Sequence, residues 1–111
     1  MVLTRILFGL LILGLSSCGN TNSSKGDEVL PSESPAEKGT SLYTLNCASC
    51  HGEDGKLGLS GAKDLSESKL TDPQIKTILQ KGKNAMPPMS SILETEENME
   101  VVIQHIKTLR K

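Results

Sequence analysis

Hydrophobic and polar positions divide the chain into three parts. An apolar run from Ile6 to Leu15, interrupted only by two glycines, lies near the N-terminus. Residues 18–35 are mostly polar and show no apolar period. Residues 36–111 contain apolar positions at helical spacing, and no alternating run is long enough to favour a strand. The pattern therefore predicts one all-α domain over residues 36–111.

Three segments of this domain are predicted to be helices. The first runs from about Pro35 to Ala48. The second is capped by Thr71 or Asp72 and ends at Gly82, and the third begins at Thr95. The positions expected to face inward are Leu42 and Leu45 in the first, with Tyr43 as a further candidate, Ile75, Ile78 and Leu79 in the second, and Met99, Val102, Ile103, Ile106 and Leu109 in the third.

The N-terminal apolar run indicates a targeting segment. Arg5 precedes it, and it is only about half the roughly 20 residues that a spanning helix needs. Residues 1–17 are therefore predicted to be an export signal, with Cys18 directly after it. The alternatives are an ordinary signal peptide with an incidental cysteine, or an uncleaved anchor. Residues 18–35 are predicted to be a flexible linker that lets the domain move between partners. The alternative is a disordered segment with no role.

Composition restricts the function. The chain has 12 basic and 13 acidic residues, which argues against nucleic acid as a partner. Its aromatic content is 2%, and Phe8 lies in the predicted signal, so Tyr43 is the aromatic residue left for the domain. A domain this small is short of apolar side chains for a core. We therefore expect a buried cofactor to fill its centre.

Candidate chemistry lies in Cys47-Ala48-Ser49-Cys50-His51. A Cys-x-x-Cys-His run is the attachment signature of c-type haem. Two thiols on one helical turn can add to the two vinyl groups of a porphyrin, and the histidine that follows can reach the iron. The competing interpretations are a Cys-x-x-Cys redox pair, which needs a βαβ setting, a zinc site, which needs more ligands, and a strained disulfide between the two cysteines.

A second iron ligand is expected from the loop of residues 84–89, which follows the second helix. Met86 and Met89 both offer a thioether, a soft ligand suited to haem iron, and two prolines stiffen the loop between them. Core filling is the alternative role for either methionine. Lys81 and Lys83 flank the loop, either as an ordinary solvated face or as charges that steer an acidic partner.

Together these positions resemble the short, single-haem class I c-type cytochromes. The resemblance covers about residues 36–111 and is carried by Gly39, Tyr43, Cys47-x-x-Cys50-His51-Gly52, Gly82 and Met86-Pro87. It implies three main helices and loops wrapped around one covalently bound haem. It also implies that His51 and Met86 are the axial ligands, with Met89 as fallback, and that the small Gly39 lets the last helix cross closely.

The resemblance also implies a function. Such a protein is an electron carrier, not an enzyme, that passes single electrons between membrane respiratory partners and is expected to be a monomer. A haem subunit of a larger oxidoreductase, or a five-coordinate haem peroxidase or gas sensor, are the alternatives. Leu15-Ser16-Ser17-Cys18 resembles a bacterial lipobox, which implies a lipid on Cys18 that holds the domain at a membrane, facing the periplasm or the outer side of the cytoplasmic membrane.

Two positions depart from that family. His105 stands where the last helix often has an aromatic residue, so it is expected to be a surface or helix-contact residue, or an unusual competing ligand. The stretch 61–65 lacks the proline whose carbonyl usually accepts a hydrogen bond from the proximal histidine. Another backbone carbonyl nearby is expected to take that role.

Overall fold

The computed structural model describes residues 32–111. The predicted signal peptide, Cys18 and most of the predicted linker therefore lie outside the described residues. The helices are α1 (Pro35–Asn46), α2 (Ala48–His51), α3 (Asp72–Lys81), α4 (Ser90–Leu93) and α5 (Glu96–Thr108), with a 3-10 turn at Leu59–Gly61. Over this range the chain contains an isolated bridge but no strand, so the all-α prediction is confirmed. None of these helices is long and apolar enough to cross a bilayer.

Helix α1 is shorter than predicted, and of its three expected core positions Tyr43 and Leu42 contact the core whereas Leu45 does not. It begins with a capping box between Ser34 and Glu37, and it ends at Asn46 because the backbone of Cys47 leaves helical geometry. The prediction for Leu45 was wrong, since its side chain is 77% exposed. Leu45 follows the fully buried Tyr43 by two positions, which places it on the opposite side of the helix.

The crossing of α1 and α5 depends on a glycine. A Cβ atom at Gly39 would lie 2.3 Å from the carbonyl oxygen of Val101, so the two backbones touch at this point. Helix α5 begins as predicted, because the Thr95 side chain accepts a hydrogen bond from the backbone of Asn98. The close approach that the resemblance implied at Gly39 is therefore present.

Helix α3 has the predicted ends. Thr71 is its N-cap and Gly82, at φ +72°, is its C-cap. Ile75 and Leu79 are buried, whereas Ile78 is only partly covered. Lys107 of α5 forms an ion pair with Asp72 at 2.9 Å, which joins the start of α3 to the end of α5.

One apolar cluster joins the helices to the loops that carry the predicted site. Its buried members are Tyr43, Cys47, Ile75, Leu79, Met89, Leu93, Met99, Val102, Ile103 and Ile106, and Met86 is among the partly buried residues packed against it. The haem-motif turn and the methionine loop are therefore held by the same core.

Candidate functional site

The Cys-x-x-Cys-His run occupies one short turn, because α2 begins directly after Cys47. The backbone N–H of His51 donates to the carbonyl of Cys47 at 2.9 Å, which closes the turn. Both cysteines are free thiols, and Cys47 is buried while Cys50 is exposed. Burial, with a smaller effect from the charge of Cys50, raises the pKa of Cys47 to about 11. The two thiols therefore belong to a single turn and differ in their exposure.

The imidazole of His51 is oriented by the chain that returns beside it. Its Nδ1 lies 3.0 Å from the carbonyl oxygen of Lys63. Because a carbonyl can only accept, Nδ1 carries the proton and Nε2 keeps its lone pair for a metal. The acceptor beside His51 is thus the carbonyl of Lys63, whereas the sequence predicted only that a nearby backbone carbonyl would accept this bond.

The Lys63 segment is fixed by hydrogen bonds on both sides. The N–H of Leu57 donates to the carbonyl of His51 at 2.8 Å, and the N–H of Leu65 donates to Gly55 at 2.8 Å. The Asp64 carboxylate accepts from the hydroxyl and the backbone N–H of Ser66, and the hydroxyl bond is the main reason that the pKa of Asp64 is lowered. The acceptor for His51 is therefore held without a proline.

The methionine loop is built on Gly82. The backbones of Lys83 and Met86 pair with each other, at 2.9 and 3.0 Å. Met86 is half-buried, while Met89 is 5% exposed and its N–H donates to the carbonyl of Leu79 at 2.7 Å. Of the two predicted thioether donors, Met89 is enclosed by the core and Met86 remains partly accessible.

These donors fit a covalent haem. Two free thiols on one turn, an imidazole with a free Nε2 and a partly accessible thioether are the groups that c-type haem requires. Large apolar side chains that stay at least half exposed are available to cover a porphyrin: Leu45, Leu57, Leu59 and Ile92. Among residues 32–111, no group of three or more His, Cys, Asp or Glu side chains is placed to hold a metal ion. The same range contains no βαβ unit for a redox pair.

His105 is a helix-contact residue. Its ring lies 4.6 Å from the ring of Tyr43, centre to centre, and its Nδ1 is 3.1 Å from the hydroxyl of Thr40. Burial lowers the pKa of His105, and the carboxylate of Glu53 opposes that effect. The side chain thus lies between α1 and α5, which confirms the expectation that His105 is a surface or helix-contact residue.

This contact gives the folded protein a pH dependence. Because the pKa of His105 is lower in the folded than in the unfolded chain, acid protonates the unfolded chain first. As the pH falls from about 6.5 through the pKa that His105 has in the folded protein, we expect the wild type to lose stability relative to a His105→Phe variant. Phenylalanine keeps a ring against Tyr43 but does not titrate. Urea unfolding at a series of pH values measures the difference, and parallel profiles would contradict the burial of this imidazole.

Comparison with known proteins adds the family. Residues 34–106, more than half of the chain, match the model of a family described as cytochrome c oxidase, cbb3-type, subunit III. A cbb3-type cytochrome c oxidase subunit, FixP of Azorhizobium caulinodans, is 44% identical over 43 residues. That alignment covers 38% of this chain, and the chain spans only 13% of the length of that relative. No solved structure gives a significant match.

Proposed function

Because the chain belongs to the family described as cytochrome c oxidase, cbb3-type, subunit III, we propose that it is a single-haem electron carrier acting between membrane respiratory partners. The observation that carries the proposal is the hydrogen bond from His51 Nδ1 to Lys63, which would leave the Nε2 lone pair available to bind haem iron. Cys47 and Cys50 would form the thioether bonds, and the haem supplies one-electron ferric and ferrous chemistry when bound.

Met86 is proposed as the second axial ligand. Its side chain is partly accessible while its backbone is fixed by the pairing with Lys83. Met89 is committed to the apolar cluster, so its sulfur would have to leave the core to reach a metal. The two residues therefore have different roles, one as ligand and the other as core.

Substitution separates these roles. A thioether bonded to ferric haem iron gives a weak far-red absorption band. We expect Met86→Ala to abolish that band with little loss of stability, and Met89→Ala to keep it while lowering the free energy of unfolding by about 2–5 kcal/mol. Visible spectra and urea unfolding of both variants measure this. Loss of the band in Met89→Ala alone would show that the ligand assignment is wrong.

Carbon monoxide distinguishes an electron carrier from a peroxidase or gas sensor. With His51 and Met86 both bound, no coordination position is open, so the spectrum of the reduced protein is expected to stay unchanged under carbon monoxide. A five-coordinate site would bind the gas and shift the spectrum at once. That shift in the wild-type protein would overturn the proposed electron-carrier function.

A second candidate, a haem subunit of a larger oxidoreductase, is favoured by the matched relative, which is an oxidase subunit by name. A mobile carrier makes small, transient contacts, whereas a subunit has a large and permanent interface. Purification of the full chain from its membrane at low salt tests this. Recovery as a lone monomer supports the carrier, and stoichiometric recovery within an oxidase supports the subunit.

We also propose that a lipid on Cys18 holds the exported domain at the membrane. Multiple acyl chains bind firmly, since each buried methylene contributes about 0.8 kcal/mol. A Cys18→Ala variant is expected to move from the membrane fraction to the soluble exported fraction and to keep its haem. Unchanged membrane association of that variant would contradict lipid anchoring at this residue.

A further inference from the structure

Tyr43 contacts both ends of the turn that carries the haem motif. Its backbone carbonyl accepts a hydrogen bond from the N–H of Cys47, at 2.8 Å. Its phenol hydroxyl donates to the carbonyl of Gly52, at 2.7 Å. Cys47 is the first residue of the motif and Gly52 directly follows His51. Hydrogen bonds to this one residue of α1 therefore join the two ends of the turn.

The Tyr43 side chain is itself rigidly placed. It is fully buried, and on α5 the ring of His105 packs against it. Burial is the largest cause that raises the pKa of Tyr43 to about 12, so the phenol stays protonated and remains a donor at physiological pH. A buried tyrosine usually needs a partner for its hydroxyl, and here that partner is the backbone beside the histidine.

Gly52 is a sensitive place for such a bond. Its φ is +82°, and a Cβ there would lie 2.9 Å from the Cβ of Leu57, so Leu57 packs closely against this backbone. Its carbonyl accepts from Gly55 as well as from Tyr43. The imidazole of His51 is held at Nδ1 by Lys63, and the phenol holds the carbonyl of the residue that directly follows His51.

We propose that Tyr43 is a positioning residue for His51, and that its hydroxyl holds the plane of the imidazole through the carbonyl of Gly52. This inference rests on the proposed function, because it concerns the orientation of a haem ligand. The Lys63 bond acts on the ring of His51, and the Tyr43 bond acts on the backbone carbonyl of the next residue, Gly52. Together they fix both the position and the rotation of the side chain.

Tyr43→Phe tests the proposal because it removes one oxygen atom and keeps the ring against His105. The backbone bond to Cys47 is also kept. The orientation of an axial imidazole plane governs the anisotropy of the low-spin ferric electron paramagnetic resonance signal and the spread of the haem methyl shifts. We expect Tyr43→Phe to change both, while the protein keeps its covalent haem and its far-red band.

The matched control is Thr77→Val. Thr77 also donates its hydroxyl to a backbone carbonyl, that of Pro73 at 2.9 Å, but it does so on α3 and away from the turn. We expect this variant to leave both spectroscopic signatures at their wild-type values. A change of equal size in Thr77→Val would overturn the proposal, because the signatures would then report a general loss of rigidity.

If the Tyr43→Phe protein does not fold, a labelled protein provides a second test. Tyr43 is the single tyrosine of the chain, so growth on 3,5-difluorotyrosine labels this position alone. Fluorination acidifies the phenol and alters its hydrogen bond with little change of shape, and we expect the same two signatures to shift. Signatures that stay unchanged in the labelled protein would overturn the proposal and leave Tyr43 as a core residue.

The wild-type sample separates this inference from the proposed function. A haem-loaded wild type whose signatures match those of Tyr43→Phe overturns the positioning role alone. A wild type that carries no covalent haem overturns the proposed function, and the positioning role with it.

Discussion

Gly39→Ala is expected to destabilise the folded protein by about 3 kcal/mol or more, at the upper end of what overpacking costs. The added Cβ would lie 2.3 Å from the carbonyl oxygen of Val101 and 3.5 Å from the Cβ of His105. A backbone oxygen cannot rotate away as a side chain can, so α1 and α5 would have to separate. Tyr43 and the haem-motif turn move with α1, and their contacts across the crossing would weaken together.

The direction of this effect is informative. Alanine is a better helix former than glycine by about 1 kcal/mol, so helix propensity alone would make the variant more stable. Ser41→Ala is the matched control, since Ser41 is exposed on the same helix. We expect that control to stay within about 0.5 kcal/mol of wild type in urea unfolding. A Gly39→Ala protein as stable as wild type would show that the helices do not cross at this residue.

Gly82→Ala is expected to abolish the far-red band and to lower the reduction potential, because the methionine loop can no longer close. Gly82 has φ +72° and ψ 172°, a conformation that only glycine adopts readily, at a cost of about 1–3 kcal/mol for other residues. In addition, the new Cβ would lie 2.5 Å from the carbonyl oxygen of Met86. That oxygen belongs to the residue proposed as ligand, so relief of the contact displaces the thioether.

Gly61→Ala separates the two causes. Gly61 has φ +80°, but a Cβ there would have no atom within 4 Å. The control therefore also places alanine at a positive φ, but without the contact at Met86. We expect it to lose some stability and to keep the far-red band in visible spectra of the oxidised protein. A full band in Gly82→Ala would contradict the role of this glycine in shaping the loop.

Much of this architecture could be predicted from local sequence signals. Thr95 and Thr71 are helix caps as expected, and Gly82 ends α3, because capping depends on a few neighbouring residues. The Cys-x-x-Cys-His spacing fixed the turn that carries both thiols and His51. The need for a backbone acceptor near residues 61–65 also followed from the motif, since an axial histidine requires an oriented ring.

Other features depend on long-range packing and could not be predicted locally. Leu45 was expected inside, but the crossing with α5 turns the face of Gly39 and Tyr43 inward and leaves Leu45 exposed. The bond from Tyr43 to Gly52 and the choice of Lys63 depend on how the loop after the motif folds back. One signal was available, because a lone buried tyrosine needs a partner for its hydroxyl.

Covalent attachment of one haem through Cys47 and Cys50 is the claim on which the proposed function depends. The full chain is expressed where thioether maturation operates, denatured and extracted with acidified acetone, and the protein mass is measured. We expect the colour to remain with the protein, and its mass to exceed by one haem that of an otherwise identical variant in which Cys47 and Cys50 are replaced. That variant is expected to release its colour. Colour that passes into the solvent from the wild type, or a wild type without colour, would contradict the claim.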